Sequence, residues 1–342
     1  MSSPADLAAR PSVRPTPVVV PDAVPDIAPV ESQAGPAADA PLPPAVIGSL
    51  SLSPSRAADF KSCPLLYRFR SIDRLPETPT RDALRGTVVH AVLERLYDLP
   101  APERTVANAQ AAVAPAFHEL VAAQPELGSL FGQIADPEAA DTEAADTEAE
   151  SAELAAWLDS ARALVANYFT LEDPTRLEPA GREQLVEVVL DGLRLRGYID
   201  RLDVSPAGDI RVVDYKTGST PREAFEAKAL FQMKFYALVL WRTRGVVPRQ
   251  LRLIYLADSD TLSYQPTEDE LARFERTVQA IWKAIATASL TGDFRPNPSR
   301  LCDWCSHQQL CPAKGGTPPP FPAGASAGAT ADQTARQASA CP

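Results

Sequence analysis

The sequence predicts an α/β chain, a mixed central sheet built on an antiparallel meander and flanked by helices. Two observations predict it. Apolar residues recur at spacings of three and four up to about residue 171, and again from about 221, which is the period of helices with one buried face. Between those stretches the period drops to two. EQLVEVVL, LRLRGYIDRLDV and IRVVDYK are three β-runs joined by an Asp-Gly turn and a PAGD turn, and tight turns of this kind connect antiparallel neighbours.

The elements follow in order. Residues 1–47 are rich in Pro, Ala and Val without periodicity and read as a disordered arm. SLSPSRAADFKSCPLLYRFR opens with cap-type serines and a proline, so a first helix is expected over about 54–70. After the Pro-marked loop RLPETPT, the stretch RDALRGTVVHAVLERLYDL gives a second helix. Two more are expected over about 104–124 and 151–171, separated by an acidic low-complexity insert at 133–153. The three β-runs come next, then a helix over about 221–244, the strands LRLIYLA and TLSYQP, and a last helix over about 267–289. A cysteine-bearing loop closes one domain over 48–315, and residues 316–342 read as a disordered tail.

Charge sits in the arm and in the insert. Of the net −11, the arm contributes −3 and the insert −8, which leaves the remainder neutral. The acidic balance therefore neither argues against a nucleic-acid partner nor supplies a basic footprint for one. No apolar run approaches bilayer-spanning length, and the N-terminus lacks a signal-peptide pattern. A cytoplasmic protein without membrane association is expected, and there five cysteines point to metal or catalysis before disulfides.

The stretch GYIDRLDVSPAGDIRVVDYKTG carries the chemistry. Side chains alternate along a strand, so Asp214 and Lys216 share a face, and the meander brings Asp200 within reach of Asp214. Two carboxylates that close repel unless a divalent cation lies between them, and hard oxygen ligands favour Mg²⁺ or Mn²⁺. A lysine beside such an ion suits orienting or deprotonating a water, or meeting a phosphate oxygen. The alternative is a surface hairpin whose Asp–Lys pairs contribute little. Upstream, His90 lies on an otherwise apolar helix, as a core histidine or as an imidazole ligand. Glu94 stands one turn further on, and Gln232 and Tyr236 share one face of the helix ALFQMKFYALVL.

GYIDR followed by VVDYKTG, with the histidine of RGTVVHAVLE before and the Gln-x3-Tyr pair after, resembles the PD-(D/E)XK nuclease superfamily. The similarity is to its RecB-like exonuclease branch, which includes AddAB-type and CRISPR-adaptation nucleases, and it covers about residues 50–315. It implies a restriction-endonuclease-like core. It also implies a cation held by His90, Asp200, Asp214 and the Tyr215 carbonyl, with Lys216, Gln232 and Tyr236 at the scissile phosphate.

LCDWCSHQQLCP places Cys302, Cys305 and Cys311 in a C-x2-C-x5-C array, with Cys63 far upstream in KSCP. Thiolates in such an array suit zinc or an iron–sulfur cluster, and His307 is a candidate fourth zinc ligand. In the branch that the chain resembles, one upstream and three downstream cysteines bind a four-iron–four-sulfur cluster, which implies the same for Cys63, Cys302, Cys305 and Cys311. Cys341 is unassigned.

The expected activity is metal-dependent DNA hydrolysis in repair or recombination. A CRISPR-adaptation nuclease and a catalytically silent DNA-binding partner of a helicase are the alternatives. The chain has no G-x4-G-K-[ST] string, so unwinding would need a separate helicase. Arg68, Arg70, Tyr67 and Trp304 are among the candidates to line a strand channel.

Overall fold

The computed structural model describes residues 51–132, 144–220 and 223–322. Strands β1 (Gly181–Leu190), β2 (Leu193–Val204), β3 (Ile210–Lys216), β4 (Gln250–Tyr255) and β5 (Asp260–Tyr264) form one sheet in the order β1-β2-β3-β4-β5. The first three make the expected meander. At the Asp191–Gly192 turn both residues take positive φ (48° and 79°), the backbone of a tight hairpin that matches strand twist. β4 then runs parallel to β3 and β5 antiparallel to β4, so the sheet is mixed.

Helices cover both faces. They are α1 (Pro54–Ser62), α2 (Pro64–Tyr67), α3 (Arg81–Leu96), α4 (Val106–Ala111), α5 (Val113–Ala123), α6 (Ala144–Leu171), α7 (Glu223–Arg244) and α8 (Glu268–Thr291). On one face Leu195, Ile199, Leu202 and Val212 pack with apolar residues of α1, α7 and α8. On the other, Val213, Tyr215 and Ile254 pack with Val88, Val92, Phe117 and Tyr168 from α3, α5 and α6. This is the α/β architecture that the change of period predicts. Among the described residues, no helix is long and apolar enough to cross a membrane.

Two expected helices are broken, each at a proline. The helix expected over 54–70 stops at Ser62, because Pro64 drives Cys63 to extended backbone (φ −161°, ψ 111°). After α2 the chain finishes in a wide π-turn, Arg68–Ile72. The helix expected over 104–124 divides at Ala112, since Pro115 has no N–H to offer the carbonyl of Ala111. α6 begins at Ala144, inside the stretch expected as a low-complexity insert. Residues 316–322, expected as the start of a disordered tail, pack on the domain: Phe321 stacks on Phe294 (5.8 Å) and lies under the Arg68 guanidinium. The rest of the expected tail lies outside the described residues. The arm 1–47, insert residues 133–143 and Cys341 fall outside the described residues.

Candidate active site

The site lies where β2 and β3 part. β2 is paired to β1 along most of its length, but its other edge is divided. Leu52 bridges Leu195 at one end, with Arg196 N–H donating to the Leu52 carbonyl at 3.0 Å. At the other end β3 pairs from Arg201↔Val213 to Val204↔Ile210. Residues 197–200 stand between these two partners. One further step of register would set Asp200 across from Asp214, and there the ladder stops.

Side chains take over the hydrogen bonding at that point. The Tyr215 N–H donates to Asp200 Oδ2 at 2.7 Å, and His90 Nε2 donates to the Tyr215 carbonyl at 2.9 Å. α3 delivers His90 because Val88, Val89, Val92 and Leu93 bury its apolar face on the sheet. The other edge of the imidazole, Nδ1, lies 3.5 Å from Asp200 Oδ2 and 3.7 Å from Glu183 Oε1. Burial opposes charging of this ring, yet Glu183, Asp200 and Asp214 outweigh it and raise its pKa to about 9. Burial, and next the charge of Asp214, raise the Asp200 carboxyl to about 7 against the pull of His90, Tyr215 N–H and Lys216. Without a cation, the imidazolium partly offsets the crowded carboxylates.

On the face toward α7, Lys216 Nζ lies 2.6 Å from Asp214 Oδ2. Gln232 ties the group together. Its amide nitrogen donates to Asp214 Oδ1 (2.8 Å) and to the Tyr236 hydroxyl (3.0 Å), and its carbonyl accepts from Lys216 (3.0 Å). Tyr236 packs over Gly197 so closely that a Cβ there would stand 2.7 Å from its ring. Asp200, Gln232 and Tyr236 also line a cleft of about 770 Å³, where Arg56, Arg70, Arg196 and Lys228 face Asp59 and Asp200. Outside its acidic insert the domain is neutral, and it gathers positive charge beside the acidic centre.

Asp200 lines both the cleft that holds Gln232 and Tyr236 and the small cavity that holds His90 and Tyr215. Lys216 and the buried Asp214 join the set through Gln232. Asp214 is not among the donors that close within 4.8 Å of His90 and Asp200. Glu94 borders the small cavity that His90, Glu183 and Asp200 share. Of the residues considered for a strand channel, Arg70 lines the cleft. Tyr67 is buried in the core, Arg68 is paired to Asp73 (3.0 Å), and Trp304 is exposed beside the cysteines.

Two residues at the site escaped the sequence reading. Glu183 was the opening residue of an alternating run, and only the β1–β2 register places it across from Asp200. Arg201 is fully buried behind the site, donating to the hydroxyls of Tyr97 (3.0 Å), Tyr168 (3.1 Å) and Tyr215 (2.8 Å) and paired with Glu172 (2.7 Å). An arginine inside an apolar strand was the signal for that network.

A sequence profile of the PD-(D/E)XK nuclease superfamily matches residues 51–312, which takes in every element that builds this opening. The chain belongs to that superfamily. Two phage relatives accompany this PD-(D/E)XK protein. The Gene 69 protein of Mycobacterium phage D29 is 26% identical over 271 residues, 76% of this chain and 96% of the relative. The Gene 69 protein of Mycobacterium phage L5 is 30% identical over 128 residues, 36% of this chain and only 42% of the relative. Among solved structures, a candidate exonuclease from Eubacterium rectale superposes at a TM-score of 0.49 and 14% identity, covering 75% of this chain and 87% of that one. SSO0001 does so at 0.29 and 20%, covering 49% and 79%. At such scores neither structure adds weight to the assignment, which rests on the profile.

The donors of this PD-(D/E)XK centre suit a hard cation: carboxylate oxygens, one carbonyl and one imidazole where β2 and β3 part. The cysteines lie elsewhere. Cys63 and the C-terminal loop meet through Asn297, whose N–H donates to Cys63 Sγ (3.4 Å) and whose amide donates to the Ser62 carbonyl (2.9 Å). Ser299 N–H donates to Cys302 Sγ at 3.3 Å. Amide donors around sulfur suit thiolate ligands. His307 points away from any zinc role. It is buried against Phe69, with Nε2 3.0 Å from Glu77. Among the described residues, the donors that close to within 4.8 Å in a group of three are His90, Glu183 and Asp200.

Proposed function

We propose that the chain is a Mg²⁺- or Mn²⁺-dependent deoxyribonuclease of the RecB-like exonuclease branch. It would act on DNA ends in repair or recombination, with a separate helicase where unwinding is needed. The observation that carries this reading is the contact network around the parted strands, with His90 and Asp200 on the backbone of Tyr215 and Gln232 on Asp214 and Lys216, beside a cleft lined by Asp200 and four basic side chains.

His90, Asp200, Asp214 and the Tyr215 carbonyl would hold the cation. Bound there, it would supply positive charge to the scissile phosphate and acidify a water. The chain's own groups do the rest. Lys216, fixed by Asp214 and Gln232, is placed to orient the attacking water or to donate to a phosphate oxygen. Gln232 has both ends of its amide engaged, so it holds Lys216, Asp214 and Tyr236 in fixed relation. Burial and the charge of Asp214 raise the Tyr236 pKa, so its hydroxyl keeps a proton to give to a phosphate oxygen. Arg196 and Lys228 in the cleft suit the phosphates of an incoming strand. Cys63, Cys302, Cys305 and Cys311 would hold a four-iron–four-sulfur cluster that ties the start of the domain to its end.

The test compares wild type with Lys216→Ala on end-labelled single- and double-stranded DNA, with Mg²⁺, Mn²⁺ or EDTA, after anaerobic purification. Expected are metal-dependent degradation by wild type and a folded, inactive variant. If both bind DNA tightly and neither cuts, the chain is a silent binding subunit and the catalytic reading is wrong.

A further inference from the structure

We propose that Glu183 is a direct ligand of the divalent cation, so that α3, β1 and β2 each contribute one side chain: His90, Glu183 and Asp200. This inference rests on the cation-dependent reading above and changes its ligand set: with His90 ligating through Nδ1, Glu183 takes the place given there to the Tyr215 carbonyl, which His90 Nε2 engages. One ligand atom from each of the three residues lies within 4.8 Å of the other two. His90 Nδ1 is 3.5 Å from Asp200 Oδ2 and 3.7 Å from Glu183 Oε1, longer than ordinary hydrogen bonds of about 2.7–3.2 Å. They match something else. Six ligands at about 2.1 Å around one ion place adjacent donors about 3.0 Å apart and opposite donors about 4.2 Å apart. Both separations fall between those limits, so a small side-chain adjustment lets one ion touch all three.

The backbone places Glu183 for this role. Arg182 pairs with Arg201 and Gln184 with Ile199, which leaves Glu183 directly across from Asp200 at the one interrupted rung of the ladder. Its φ is +40°, a left-handed conformation that is unfavourable for a residue with a Cβ. Asp200, its neighbour across the rung, has a side chain only 10% exposed. The three donors converge from three elements rather than along one surface helix.

The experiment measures Mn²⁺ binding without nucleic acid, by calorimetry and by loss of the free-ion electron-spin-resonance signal. Wild type is compared with Glu183→Gln, Glu183→Asp, and Glu187→Gln, a variant in an exposed pair on the same strand, with thermal unfolding run to show that each is folded. Expected is a loss of affinity of about tenfold or more for Glu183→Gln and Glu183→Asp, with Glu187→Gln unchanged. The aspartate keeps the charge but retracts the oxygen, so wild-type affinity in Glu183→Asp would reduce Glu183 to a background charge and overturn the proposal. A second comparison is made in a His90→Ala background. A ligand still weakens binding there when replaced, whereas a residue that only orients His90 does not. Equal affinity in wild type and Glu183→Gln overturns this proposal and leaves the cation reading standing. No binding by wild type overturns both.

Discussion

Gly197→Ala isolates the reason for the glycine in GYID. A Cβ at 197 would meet Tyr236 Cε1 at 2.7 Å and Pro54 Cδ at 3.5 Å. Carbon atoms rest at about 3.5–4.0 Å, so the ring must retreat by about 0.8 Å or more. Tyr236 is buried on α7 among Leu195, Ile199 and Phe235, and crowding of this kind costs about 1–3 kcal/mol. At about 2–4 °C per kcal/mol for a domain of this size, the melting temperature should fall by about 2–12 °C. The site should suffer more than the fold. The Tyr236 hydroxyl accepts from Gln232, which also binds Asp214 and Lys216, so a displaced ring displaces the lysine. Misplacement by about 1 Å typically costs on the order of 100-fold in rate. Thermal unfolding and cleavage of a labelled oligonucleotide read the two effects. The measurement that decides is a double-mutant cycle with Tyr236→Leu, which removes the Cε1 that the methyl meets. Gly197→Ala should cost little stability in that background. An equal cost in both backgrounds refutes the close approach as the reason for the glycine.

Three other outcomes are expected. Glu172→Gln, which takes one of two carboxylates from the buried Arg201 (Asp203 stays at 3.1 Å) and also faces Arg252 and Arg211, should cost about 1.5–3 kcal/mol at neutral pH in urea unfolding. Burial would raise the Glu172 pKa, but the three arginines prevail and lower it. Its contribution is therefore present above the unfolded value of about 4.3 and is lost as pH falls through the lower folded value, so the gap to wild type should narrow in acid; a constant gap contradicts the pairing. Arg196→Ala and Lys228→Ala should weaken single-strand binding across sequences and reduce the salt slope by about 0.7 each, with an unchanged slope removing that residue from the strand path. Cys63→Ala should remove iron and visible absorbance from anaerobically purified protein and lower its melting temperature; wild type without iron ends the cluster reading.

The sheet was legible because its signals are local. Period-two runs, an Asp-Gly turn and the six-residue return from Asp203 to Asp209 define a meander without tertiary information, and Asp214 and Lys216 inherit their shared face from alternation alone. Breaks at Cys63 and Ala112 were also written locally, in Pro64 and Pro115, but the periodicity ran through them and concealed them. Glu183 and Arg201 were not legible in that way. Their roles depend on which residue lies across the ladder and which helix lies behind it, and neither follows from spacing along the chain. His307 shows the converse: beside three cysteines it looks like a ligand, and packing commits it to Glu77.

The chemistry sits at an interruption of the sheet for a physical reason. Wherever two strands separate inside a protein, backbone N–H and C=O groups lose their partners, and leaving them unpaired costs about 1–3 kcal/mol each. Here both groups of Tyr215 face the gap and are taken by Asp200 and His90. The residues that satisfy the broken ladder are the same ones that present donors to a cation. Replacing either therefore perturbs strand pairing as well as chemistry, and a conservative exchange such as Asp200→Asn keeps an acceptor for the Tyr215 N–H while removing the charge. If stability survives Asp200→Asn but not Asp200→Ala, the carboxylate serves the fold through its oxygen and the site through its charge.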